Sequence, residues 1–75
     1  MATTEIRAHI TGTVWKVEAK AGDTLEEGDP IVILESMKME IPVEAPEDGT
    51  VVEVKVEETQ TVKEGDLIAI FEEED

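Results

Sequence analysis

The chain has no cysteine and no tyrosine, and only one tryptophan, one phenylalanine, one histidine and one serine among its 75 residues. Without cysteine there is no disulfide and no thiolate metal site, a usage that suits a reducing compartment. Cations are scarce as well: six Lys and Arg stand against twenty Asp and Glu, a formal net charge of −14. Nucleic acid and anionic membranes are therefore not expected partners, because both are held by clustered Lys and Arg. No run approaches the roughly 20 apolar residues needed to cross a bilayer, and no basic segment leads into an apolar one at the N-terminus. These features predict a cytoplasmic protein, monomeric in isolation, whose charge speeds its encounter with basic grooves on larger partners. A helical period is also missing, so almost no helix is expected. The terminal run Glu72-Glu73-Glu74-Asp75 is expected to fray beyond its first residue.

What is present is a repeat. Laying residues 6–35 over residues 43–72, an offset of 37, matches 12 of 30 positions without a gap, among them Gly12, Thr13, Val14, Gly28, Asp29 and Glu35. This composition would give roughly three matches by chance, so the chain reads as a duplicated unit within a single domain, 1–75. Each unit is β in pattern. Thr13, Trp15, Val17 and Ala19 alternate with Val14, Lys16 and Glu18, and Thr50 to Val56 repeat the alternation in the second copy. Gly22-Asp23, Gly28-Asp29 and Gly65-Asp66 mark turns, whereas Thr59 stands at the position matching Gly22. Four short strands per unit cannot bury an apolar face alone. Two copies are expected to pack face to face about a pseudo-twofold as a flattened eight-stranded, all-β sandwich. Trp15 and Phe71 are assigned to its core, and Pro42 to an edge or a strand start.

Residues 36–42 join the units and belong to neither. They place Glu35-Ser36-Met37-Lys38-Met39-Glu40 at a hairpin, with the termini expected at the opposite end. Hairpin turns favour Gly, Asn or Asp, which tolerate positive φ, and a lysine between two methionines is poor chemistry for one. Met37 and Met39 could be core residues flanking a solvated lysine. Their place between matching halves points instead to a displayed lysine, since a local rule broken in orderly surroundings is more often broken for function. Enzyme chemistry is poorly supplied. His9 follows the outward parity of Ile6, Ala8 and Ile10 and reads as a solvated edge residue, and a Ser36–Lys38 dyad would have no walls or oxyanion hole. No acidic spacing resembles a calcium loop. Lys38 remains as an acceptor: an ordinary lysine is almost wholly protonated at neutral pH, so another enzyme must deprotonate it and present an activated acyl group.

The hexapeptide at residues 35–40, followed by Ile41-Pro42-Val43-Glu44-Ala45-Pro46 and Gly49-Thr50-Val51, resembles the biotinyl domain of biotin-dependent carboxylases, the biotin carboxyl carrier module. The similarity covers about residues 6–72. It implies a flattened barrel of two four-stranded antiparallel sheets with biotin in amide linkage to Lys38, and ligase or partner recognition through Glu35, Ser36, Met37, Met39 and Glu40. It further implies a non-catalytic carrier that a biotin protein ligase loads, and that then moves a carboxyl group from a biotin carboxylase to a carboxyltransferase. Lipoyl domains share this fold but usually carry Asp before the lysine and lack the methionines. A lipoyl-type acyl carrier and an unmodified β-sandwich adaptor are the alternative readings. The gapless repeat resembles carriers without a protruding thumb, and no Ala/Pro-rich leader precedes residue 6, so a free-standing carrier that docks is expected.

Overall fold

The protein, described here from a computed structural model, is seen from residue 2 to residue 74. Its eight strands are β1 (Thr3–Arg7), β2 (Gly12–Val17), β3 (Thr24–Leu25), β4 (Pro30–Ser36), β5 (Met39–Glu44), β6 (Gly49–Val54), β7 (Thr61–Val62) and β8 (Leu67–Glu73). No helix is present among the described residues. All pairings are antiparallel, in two four-stranded sheets ordered β1-β8-β6-β3 and β5-β4-β2-β7. The offset of 37 carries β2 onto β6, β3 onto β7 and β4 onto β8 with identical bounds. The two units do not form one sheet each, as face-to-face packing of intact copies had suggested. Each sheet takes two strands from each unit, because β4 pairs with β5 and β8 with β1 across the repeat boundary. This exchange gives both units a shared core, which neither could bury alone.

The core lies between the sheets and includes Val14, Ile31, Val32, Leu34, Val51, Val62, Ile68 and Phe71, each at most 1% exposed. Burying such side chains contributes about 1.5–3 kcal/mol apiece. Phe71 is there as expected; Trp15 is not, being 42% exposed with the Lys16 Nζ 5.3 Å from its ring centroid. A β-bulge is the cause. Val14 pairs with Leu34 and Lys16 with Ile33, so Trp15 is an extra residue with no partner of its own. The bulge resets the alternation, and the apolar residues turned toward the core are Val14, Val17 and Ala19 rather than Trp15, Val17 and Ala19. Val52 occupies the matching bulge in β6 and is likewise exposed.

Four turns close the loops in one way. In each, a side-chain oxygen accepts from the backbone N–H three residues earlier: Asp23 from Lys20, Asp29 from Glu26, Gln60 from Glu57 and Asp66 from Lys63, at 2.8–3.0 Å. Three of these turns put Gly at positive φ, and the fourth forces Thr59 to φ 75°. Pro42 lies on the edge strand β5, where a missing N–H harms no ladder within the sheet. The acidic tail is held further than expected. β8 continues through Glu73, whose carboxylate accepts from the Thr4 hydroxyl at 2.6 Å, and the Glu74 N–H donates to Asp48 O at 2.9 Å. Asp75 lies outside the described residues.

The first and last strands meet side by side near their outer ends, with the Glu73 N–H donating to Ala2 O at 2.8 Å. The offset of 37 makes residues 2 and 73 the counterparts of Met39 and Ser36, the pair that closes the β4–β5 hairpin. That ladder runs from Pro30 opposite Glu44 to Ser36 opposite Met39. Glu74 is bonded to Asp48, just beyond the Glu44 end, so Ala2, Glu73 and Glu74 lie at the end away from the hairpin.

Candidate functional site

The hairpin tip is a two-residue loop, Met37-Lys38, between Ser36 and Met39. Its backbone has φ 50° at Met37 and 65° at Lys38. Positive φ at both central residues is the pattern of a type I′ turn, whose twist matches that of the strands it joins, and Asn-Gly is the usual choice there. Two long L-residues in this conformation carry strain that the flanking ladder must hold. The odd turn composition noted in the sequence is therefore matched by odd backbone geometry at the same two residues.

The methionines are displayed rather than packed: Met37 is 92% and Met39 62% exposed. Lys38 is exposed between them, and its amine makes no ion pair or hydrogen bond among the described residues. Glu35 and Glu40 face each other directly across the ladder, both exposed. They form an acidic collar one residue pair below the turn. Glu44, by contrast, pairs with Pro30 at the far end of the hairpin and is no neighbour of Lys38. Ser36 is half-buried at the base of the turn.

Nothing around the tip encloses it. Neither of two clefts on the surface is lined by Lys38. The larger, about 560 Å³, lies on the flank between β1 and β5 and includes Arg7, exposed His9, Glu44 and Pro46. The smaller lies among Thr24, Thr50 and Glu72–Glu74. No cluster of His, Asp and Glu suited to a metal ion occurs among the described residues. A primary amine on a convex tip cannot exclude water or orient a second group, so it has no machinery of its own and is suited to be acted upon.

Two features escaped the sequence reading. One is the close approach of Gly12 to the base of the hairpin, for which the only signal was glycine at equal positions of both repeats, Gly12 and Gly49. The other is a carboxyl pair at the opposite end. A hydrogen bond shared with Glu73 holds the Glu47 carboxyl above its ordinary value of 4.5, with burial and neighbouring carboxylates acting in the same direction. The Thr4 hydroxyl, followed by Glu47, holds Glu73 below it.

Comparison with known proteins agrees with this geometry. The chain is 52% identical over 40 residues to the biotin/lipoyl attachment protein of Bacillus subtilis, covering 53% of this chain and 55% of that one. It is 51% identical over 41 residues to the biotinylated protein TB7.3 of Mycobacterium bovis, covering 55% and 58%. The matched segment thus spans little more than half the length of these relatives. A solved single-chain, multi-domain long-chain acyl-CoA carboxylase contains a similar fold, with TM-score 0.91 and 36% identity over 97% of this chain and 7% of that one. The family model described as "Biotin-requiring enzyme", of the biotin and lipoyl type, matches residues 1–71, and the chain belongs to that family.

Proposed function

We propose that the protein is a biotin carboxyl carrier and that Lys38 is its attachment residue. The observation that carries this reading is the hairpin: an exposed amine at a convex tip, without a partner among the described residues, flanked by two exposed methionines on a strained turn. The similarity to biotinylated TB7.3 and to a domain within an acyl-CoA carboxylase supports biotin as the group carried.

Within this reading a biotin protein ligase docks on Met37, Met39 and the Glu35–Glu40 collar, with half-buried Ser36 holding the base of the turn. The Lys38 amine, deprotonated in the ligase site, would hold biotin in amide linkage, giving up a further N–H proton to a base of the ligase as the activated acyl group's leaving group departs. Bound there, biotin supplies a ureido nitrogen that accepts and releases a carboxyl group. The chain's own part is to present the arm free of walls, so that a biotin carboxylase and a carboxyltransferase can each enclose it in turn. Docking or attachment raises the effective concentration of the arm at both sites. The setting is the cytosol.

Incubation of the chain with a biotin ligase, biotin and ATP is expected to add one biotinoyl group by intact mass. Lys38→Arg, which keeps the charge but offers a guanidinium that stays protonated, is expected to add none while folding normally. A biotinoyl group on the Arg variant would overturn the assignment. The mass of one lipoyl group after incubation with a lipoyl ligase, and no biotinoyl group, would favour the lipoyl carrier, for which the name of the Bacillus subtilis relative gives some support.

A further inference from the structure

The five glycines fall into two kinds. Gly22, Gly28 and Gly65 have φ of 91–95°, and a Cβ on any of them would meet nothing within 4 Å. They are needed for their conformation. Gly12 and Gly49 have no such φ, and a side chain at either is excluded only by lack of space. At Gly12 the atom that excludes it is backbone, and at Gly49 the backbone is joined by the Phe71 ring. A Cβ on Gly12 would lie 2.7 Å from Glu35 O and 3.5 Å from the Ser36 Cβ; one on Gly49 would collide with Glu72 O and approach the Phe71 ring to 2.8 Å. Glu72 is the repeat counterpart of Glu35, so the duplicated fold brings the same two strands together at both of its ends. At one end they lie beside Ala2 and Glu74 and at the other they support the Met37-Lys38 turn.

From this contact we infer that Gly12 is a positioning residue for Lys38: by letting β2 close on the carbonyl of Glu35, it sets where β4 ends and so where the turn projects. Three observations meet at this residue. Thr13 pairs with Glu35, which puts Gly12 beside Ser36, the last residue before the turn. The obstructing atom is a carbonyl oxygen held in a ladder, not the end of a flexible side chain that could swing away. The turn above is strained at both residues and depends on its base for its shape. A methyl group at residue 12 must therefore push the end of β4 outward from 2.7 Å toward the 3.4 Å at which ordinary contact begins. Reactions between positioned groups are sensitive on this scale, with misplacement of about 1 Å costing up to a hundredfold.

The inference rests on the proposed acceptor role of Lys38, and the experiment separates the two. The parent, Gly12→Ala and Gly49→Ala chains are each incubated with biotin ligase, biotin and ATP, and kcat and KM for the chain are measured. Backbone amide shifts are recorded on the unmodified proteins. A merely destabilised chain supplies fewer folded molecules, which raises apparent KM and leaves kcat at saturation unchanged. Gly12→Ala is expected to lower kcat about tenfold, with amide shifts concentrated at residues 35–39. Gly49→Ala, or the core truncation Val51→Ala if Gly49→Ala does not fold, is expected to keep the parent kcat and to move shifts only in its own half. Parent kcat in Gly12→Ala, shifts spread through the core, or failure of Gly12→Ala to fold would each overturn the positioning role. An unmodified parent would instead overturn the acceptor reading, while the amide shifts would still decide whether Gly12 shapes the turn.

Discussion

At the scale of single residues, exposure separates recognition from packing. Truncating a buried methionine costs about 2–5 kcal/mol, largely through the cavity it leaves. Met37 at 92% and Met39 at 62% exposure leave no such cavity. The double substitution Met37→Ala/Met39→Ala is expected to cost less than about 1 kcal/mol in urea denaturation while lowering ligase kcat/KM. A loss in the buried-core range would mean that the methionines pack. Thr59 offers the opposite lesson. It holds φ 75° where the repeat has Gly22, and a β-branched residue in that region is strained by about 1–2 kcal/mol. Glycine brings back about 0.5–1 kcal/mol of backbone entropy cost, so Thr59→Gly is expected to stabilise by about 0.5–1 kcal/mol and raise Tm by several degrees. An unchanged or lower Tm would show that the loop relaxes around Thr59.

At the scale of strands and turns, the repeat offset was legible because it rests on residues with one physical reason each. Gly-Asp at 28–29 and 65–66 pairs a residue free to take positive φ with a carboxylate that accepts from the N–H three residues back. The bulges were not legible. Trp15 and Val52 are apolar and sit in unbroken alternation, and only the pairing with β4 and β8 shows that one residue in each strand is surplus. Strand exchange was hidden for a related reason, since periodicity tells which face is apolar but not which strand lies alongside. The hairpin at Lys38 was readable from its unsuitable turn residues, whereas its support by Gly12 needed the distance to Glu35. Likewise, only coordinates bring Glu47 against β8. Its raised pKa means that its contribution to stability is full below 4.5 and is lost as pH rises through its folded value. Glu73 is lowered, so its contribution is present above 4.5 and is lost as pH falls through its own folded value. Glu47→Gln keeps a donor for Glu73 without titrating. Thermal unfolding across pH 4 to 7 is expected to show a shallower decline above 4.5 in this variant than in the parent, and identical slopes would show that the pair does not form in solution.

At the scale of the whole molecule, charge and shape decide how partners meet it. If the proposed function holds, a net charge of −14 favours rapid encounter with a basic ligase groove, and screening weakens the effect as the Debye length falls from about 30 Å at 0.01 M salt to about 8 Å at 0.15 M. Ligase kcat/KM is expected to fall over that range. Glu35→Gln/Glu40→Gln is expected to reduce both kcat/KM at low salt and its salt slope. Glu44→Gln, at the far end of the hairpin, is expected to change them less. Salt-independent kcat/KM in the parent would assign the acidic surface to solubility alone.

The hydrogen bond between Glu73 and Ala2 has a mechanical consequence. Four strands about 4.8 Å apart and two sheets about 10 Å apart account for the two short dimensions of the 37 × 17 × 17 Å body, so its long axis follows the strands. Ala2 and Glu73 therefore lie at one tip of that axis, a strand's width apart, and the lysine at the other. A host protein could accept the whole domain in a single surface loop without stretching, and would then hold it as a lever is held at the fulcrum. Small rotations at the junction would sweep Lys38 through an arc far wider than its own side chain can reach.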